Sequence, residues 1–267
     1  MLNFRVIWKQ VGGKEYNIMG KILSILLLSI ILQACSQVKP NQNENGFASL
    51  NQEQIKQLIT VSSEGWYDFK AQMTLMEKDG TTWKEVANFK AVIGRNGFGI
   101  GRGKKEISTI NLVEKKEGAG KSPAGIFSLG QLMGYSSNPE GNVRWDYRQI
   151  TTNDIGIDDP ASLFYNQVID TSKVKDIDFK SFETIRRDDN QYKWLYEINH
   201  NRENISGLGS LIFLHIWKSE NRGTAGCTAI SEENFKILRH WLDQDKNPVI
   251  IQAPNELKTQ LLKDFAQ

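Results

Sequence analysis

"SLIFLHIWKSENRGTAGCTAIS" runs from Ser210 to Ser231. Its early part, "LIFLH", is apolar at every position before His215. Successive residues of a strand face opposite ways, so an unbroken apolar run predicts a strand buried on both faces. His215 leaves the end of that strand, where a rigid element can hold an imidazole in one orientation. The polar "KSENRGTAG" predicts a loop that returns the chain to Cys227, twelve residues after the histidine. A thiol with the ordinary pKa of about 8.5 is a weak nucleophile until a neighbour stabilises its thiolate. A histidine within hydrogen-bond reach does this and later gives the proton to a leaving amine. Gly226 leaves room for a substrate backbone, and the N–H groups along Thr224, Ala225, Gly226 and Cys227 are candidates to bind an oxyanion. No other cation in the sequence is so well placed beside the thiol. The competing reading of Cys227 is a small buried hydrophobe, and spacing alone leaves both readings open.

The flanking segments set the fold class. "SEENFKILRHWLDQ" (231–244) has helical periodicity: Phe235, Leu238, Trp241 and Leu242 form one face, with Ser231 as N-cap and Asn234 at N3. "WLYEINH" (194–200) and "NPVIIQAP" (247–254) read as strands. Upstream, "GWYDFKAQMTLMEKDG" and "TTWKEVANFKAVIG" are strand-like runs, with "KDG" (78–80) a hairpin turn between them. "LNQEQIKQLITV" (50–61) reads as a short opening helix. No internal repeat is visible. The sequence predicts one mostly β domain with a few short helices over residues 60–255, then a tail, 256–267.

The N-terminal region is of another kind. "MGKILSILLLSIILQAC" (19–35) has Lys21, an apolar run from Ile22 to Leu32, and Ala34 before Cys35. A membrane-spanning helix needs about 20 apolar residues, so this shorter run reads as a signal peptide, residues 1–35 including an extension. Residues 1–18 do not suit a signal peptide, which makes Met19 the expected start. Residues 36–59, beginning "SQVKPNQNENGFASLNQEQ", are polar and read as a tether. Exported proteins meet oxidising conditions. If Cys35 is modified, Cys227 has no disulfide partner and stands as a candidate reactive thiol.

Other chemistries find little support. Lys+Arg 33 against Asp+Glu 31 leaves a net charge of +2, too even for a nucleic-acid surface. "EGAGKS" (117–122) lacks the first glycine of a phosphate loop, since that position is Lys115. "GFGIGRG" (97–103) does not close as G-x-G-x-x-G, and both stretches read as turns. His200, His215 and Cys227 form a conceivable metal set without an evident fourth ligand. No metal or other cofactor is therefore expected. His240 reads as a surface residue. Asp158 and Asp159 of "IDDP" read as a turn near a substrate groove rather than an acid–base pair.

"IFLHIWKSENRGTAGCTAIS" resembles the active-site segment of the YkuD-type L,D-transpeptidase catalytic domain, in the branch whose motif ends T-A-G-C. "KKEGAGKSPAGIFSLGQLMGY" (115–135), "IDDPASLFYNQVID" (157–170), "RRDDNQYKW" (186–194) and "NPVIIQAP" extend the resemblance, in order, over roughly 85–254. It implies a mixed β-sandwich or barrel-like fold, Cys227 as nucleophile, His215 as its base, and a backbone carbonyl orienting the histidine. It also implies action on peptidoglycan stem peptides through a thioester, with transfer to an amine or to water. A retired, non-catalytic wall-binding protein is the third alternative. This chain departs from the family at Ala225, where many members have histidine, at Ala229, where many have arginine, and at Ala119, where related sequences have aspartate. Arg222, Lys218 and Arg202 are possible replacement contacts for a substrate carboxylate, although solvated surface cations explain all three. "LQAC" resembles a bacterial lipobox, which implies a lipid on Cys35 and an envelope location, the outer membrane being favoured by Ser36. A monomer is expected.

Overall fold

The computed structural model describes residues 8–11, 14–17, 54–107 and 112–266. Strands β1 (Trp8–Val11) and β2 (Lys14–Asn17) form an antiparallel hairpin in one compact unit, Met1–Gly46. The signal-like segment, Cys35 and most of the polar tether lie outside the described residues. No helix among the described residues is long and apolar enough to cross a membrane.

The second unit, Phe47–Gln267, carries the remaining strands. These are β3 (Gln57–Ser63), β4 (Lys70–Asp79), β5 (Thr82–Val92), β6 (Phe98–Ile100), β7 (Ser122–Gly134), β8 (Tyr147–Gln149), β9 (Asp154–Ile157), β10 (Gln167–Asp170), β11 (Glu183–Thr184), β12 (Trp194–Ile198), β13 (Phe213–Ile216), β14 (Thr228–Ile230) and β15 (Val249–Pro254). The main sheet follows the order β12-β13-β14-β5-β4-β3-β15-β7 and closes on itself, because β7 also pairs with β12. The thirteen residues of β7 make this possible. Its first part pairs with β6 and β15 and its second with β12 and β8. A separate three-stranded sheet, β10-β9-β11, accompanies the barrel. The mostly β, barrel-like architecture expected from the sequence is the one observed.

Alternation along β13 and β14 divides two cores. Leu214, Ile216 and Ile230 join the main cluster with Val61, Met73 and Leu75. Phe213 and Cys227 point the other way, into a smaller cluster with Met133, Ile185, Tyr192 and Leu195. The apolar run around His215 is thus buried on both faces. The strand is shorter than "SLIFLHIW" suggests. Leu211 has φ +52°, a left-handed backbone that cannot continue a ladder, so pairing starts at Phe213.

Several expectations are corrected. Residues 57–63 form β3, not part of a helix: β3 is hydrogen-bonded on both sides, to β4 and β15, and this pairing overrides local propensity. The tether boundary at residue 59 therefore cuts a central strand. The expected tail, 256–267, lies mostly in a helix, Asn255–Ala266, which buries Leu261 and Phe265 in the main core. "GFGIGRG" is only partly turn, since Phe98–Ile100 pairs with β7. The "KDG" hairpin is present, with Asp79 opposite Thr82 and Gly80 at φ +59°. The helix Glu232–Trp241 starts at the Ser231 cap, whose hydroxyl accepts the Asn234 N–H.

Candidate active site

β13 and β14 run parallel, with Leu214 beside Thr228 and His215 beside Ala229. Carried back one residue, this register sets Cys227 beside Phe213, and the Phe213 N–H donates to Cys227 Sγ at 3.4 Å. Residues two apart on a strand share a face. His215 and Cys227 therefore project from neighbouring strands to the same side, into one cleft of about 520 Å³. Parallel neighbours require a crossover, and the loop between Ile216 and Thr228 supplies it without a helix.

That loop is held from below. The Thr224 N–H donates to the Ile93 carbonyl and the Arg95 N–H to the Thr224 carbonyl, both at 2.8 Å. The contact requires glycine on each side. A Cβ on Gly223 would lie 2.6 Å from Arg95 Cα, and one on Gly94 would lie 2.5 Å from the Gly120 carbonyl oxygen. Ser122, fully buried at the start of β7, accepts the Gly94 N–H at 2.9 Å. Its hydroxyl faces the Gly226 and Cys227 carbonyls at 2.7 and 2.9 Å. The Thr224 hydroxyl donates to the Cys227 carbonyl at 2.6 Å and accepts the Gly226 N–H at 3.1 Å. The Gly226 N–H is thus engaged within the turn rather than open to an oxyanion.

Burial favours the neutral form of both the His215 and the Cys227 side chains. His215 Nδ1 lies 2.8 Å from the Ile216 carbonyl, and donating there leaves the Nε2 lone pair as a proton acceptor. Burial lowers the imidazole to about 4. It also pushes the Cys227 thiol up to about 12, against the help of the Phe213 N–H and the Lys115 charge. The S–H donates to the strained Leu211 carbonyl at 3.5 Å. The Tyr192 ring meets His215 edge-on at 5.0 Å, and its hydroxyl donates to Glu183 at 2.7 Å. Burial raises the Glu183 carboxyl above its ordinary value. Arg187 lies over the Tyr192 ring and pairs with Asp189 at 3.0 Å, which holds Asp189 down to about 2.

The cleft collects some of the other candidates and leaves others out. Thr224, Ala225, Gly226, Arg222 and Lys218 line it, with Ala225, Arg222 and Lys218 exposed. Arg202 lines a different, smaller cavity. His200 is unavailable as a metal ligand beside Cys227. Its Nδ1 accepts the Arg102 N–H at 3.1 Å and its Nε2 lies 2.9 Å from the Leu208 carbonyl. Asp159 accepts the Ala161 and Lys180 N–H groups, the turn role expected of it. Asp158 lines the cleft. His240 is exposed. Sequence reading missed Ser122, Tyr192 and Lys115. Lys115 is 4% exposed and lines the same cleft, so the expectation that no other cation is so well placed fails. Nothing in the polar stretch "KKEGAGKS" signals that its first lysine is buried.

The L,D-transpeptidase catalytic domain model matches residues 66–251. No curated protein matches the chain. Among solved structures, that of Bdellovibrio bacteriovorus Bd1075 is similar at 14% identity and a TM-score of 0.37. The match covers 79% of this chain and 55% of that one, so this chain spans little over half of the other's length.

Proposed function

The chain belongs to the L,D-transpeptidase catalytic-domain family, and from that membership we propose that it is a cysteine acyltransferase acting on peptidoglycan stem peptides. The observation that carries the reading is the convergence of His215 and Cys227 from adjacent parallel strands on one cleft. In the proposed reaction, His215 Nε2 takes the Cys227 proton while Sγ attacks the carbonyl between an L-centre and a D-residue. The C–N bond breaks, the imidazolium gives its proton to the departing amine, and a thioester remains. An acceptor amine then attacks the thioester, returns a proton to His215 and releases the thiol. Water as acceptor would make the same site a carboxypeptidase or endopeptidase. Incubation with muropeptides, read by mass spectrometry, tests this directly. Crosslinked products, absent with Cys227→Ala, are the expected outcome. Trimmed stems would assign the hydrolase. Undiminished turnover by Cys227→Ala would sink the nucleophile assignment.

The protein is further proposed to work in the bacterial envelope as a monomer, held by lipid on Cys35 and, in an organism with two membranes, facing the periplasm from the outer one. The support is "LQAC" after an apolar run, with Ser36 following. One acyl chain binds a membrane at only about 10⁴ M⁻¹, so stable anchoring requires more than one. The mass of the mature N-terminal peptide should show a multiply acylated Cys35, and Cys35→Ser should lack it. A mature N-terminus elsewhere, without lipid, would refute the anchor.

A further inference from the structure

We propose that Lys115 is a positioning residue for the nucleophile: its buried ammonium group supplies the positive charge that stabilises the Cys227 thiolate. This rests on the reading of Cys227 as nucleophile. The backbone of Lys115 is fixed by donation of its N–H to the Ile100 carbonyl at 2.8 Å. The side chain runs under the site. A Cβ on Gly226 would lie 3.7 Å from Lys115 Cε, and one on Gly209 would lie 3.0 Å from Nζ. Residue 209 must stay small for the lysine to lie there, whereas at 226 a Cβ would meet it at ordinary van der Waals distance. The ammonium group donates to the Lys116 carbonyl at 2.9 Å. It has two further donors, and it forms no ion pair within 4 Å among the described residues.

Stability does not explain this arrangement. Desolvation opposes the charge and lowers the Lys115 pKa, and burying a charge without an ion-pair partner is costly. Function does explain it. The first chemical step creates a thiolate in a site whose burial disfavours any anion, and the charges facing the thiol are mixed. Glu183 opposes ionisation and Lys115 favours it, while the Phe213 N–H provides a hydrogen bond. Arg187 and Asp189 act on His215 with opposite signs. Glu117 supports the charged form of Lys115 from a fixed position, since the Tyr165 and Ser210 hydroxyls donate to its Oε2 at 2.6 and 2.7 Å. His200 also feels the lysine, but it is held neutral by burial.

The test is the rate of iodoacetamide alkylation of Cys227 against pH in the full chain, read by peptide mass, with folding checked by circular dichroism. Lys115→Met removes the charge and keeps the bulk. Lys115→Gln removes the charge and keeps a donor for the Lys116 carbonyl. Lys115→Arg keeps the charge. At about pH 7 to 8, where Cys227 is mostly thiol and Lys115 can carry its charge, both neutral variants should alkylate about tenfold more slowly than wild type. Lys115→Arg should stay within a few-fold of wild type. A wild-type alkylation rate over that pH range in a folded neutral variant overturns the proposal while leaving Cys227 as nucleophile. A natively folded wild type whose Cys227 resists alkylation at every pH overturns both.

Discussion

At Cys227 and His215 the balance is between burial and the need for charge. Each is almost fully buried, and burial favours the neutral form of both. The cleft therefore favours a thiol and an imidazole, with the thiol donating to the Leu211 carbonyl rather than to His215. In the proposed reaction, substrate brings the groups into their reacting arrangement, as is common for catalytic hydrogen bonds that tighten only in the complex. The two residues were legible in the sequence because each carries its own signal: a histidine ending an apolar run and a lone thiol after glycine. Their supports were not. Ser122 is more than a hundred positions from Cys227, and its buried hydroxyl acts on main-chain carbonyls. Tyr192 sits in the polar stretch "RRDDNQYKW", where nothing marks it as the ring against the imidazole. Chemical type is visible one residue at a time, whereas a supporting contact depends on which distant strands become neighbours.

At the scale of elements, the sequence was clearest where periodicity is local and least clear where pairing decides. The "KDG" hairpin and the Ser231-capped helix are local features, and both are present. β3 was misread because its strand character comes from neighbours at both ends of the chain. The loop before β13 shows how an element can be ended by a side chain far away. Leu211 is left-handed, and its N–H is held by Asn166 Oδ1 at 2.9 Å. The Asn166 amide nitrogen donates in turn to the Asn201 carbonyl at 2.9 Å. Asn166 is itself left-handed at φ +63°. A Cβ without a polar end is disfavoured there by about 1–2 kcal/mol. Asn166→Ala should therefore lose the clamp and add strain, whereas Asn166→Gly loses the clamp alone. Urea denaturation should find both destabilised, the alanine variant by about 1 kcal/mol more. Equal losses would show that the left-handed backbone at 166 is not retained in the variants.

For the whole molecule, the fold buries ionisable groups at two separate places, and this couples folding to pH. His200 and His215 are both lowered to about 4 by burial, from an ordinary value near 6.5. The unfolded chain binds protons at these positions as pH falls below 6.5, while the folded chain resists until about 4. More protons are then bound when unfolded, so stability is lost as pH falls through that window. Each histidine contributes a slope of up to about 1.4 kcal/mol per pH unit. The carboxyl groups act over other ranges. Glu183 and Glu197 are raised by burial, so on acidification the folded form takes up their protons first, which opposes part of the loss. Asp189, held down to about 2, adds a loss of its own only below its ordinary value of 3.8. Urea denaturation at several pH values should therefore show stability falling from pH 6.5 towards 4.5, with Glu183 and Glu197 opposing part of the fall. His200→Gln should reduce the slope by about half, since His200 lies outside the cleft that holds His215 and Cys227, and His215 remains. Wild-type stability that does not change between pH 6.5 and 4.5 would mean that the buried imidazoles are hydrated enough to take up protons without unfolding.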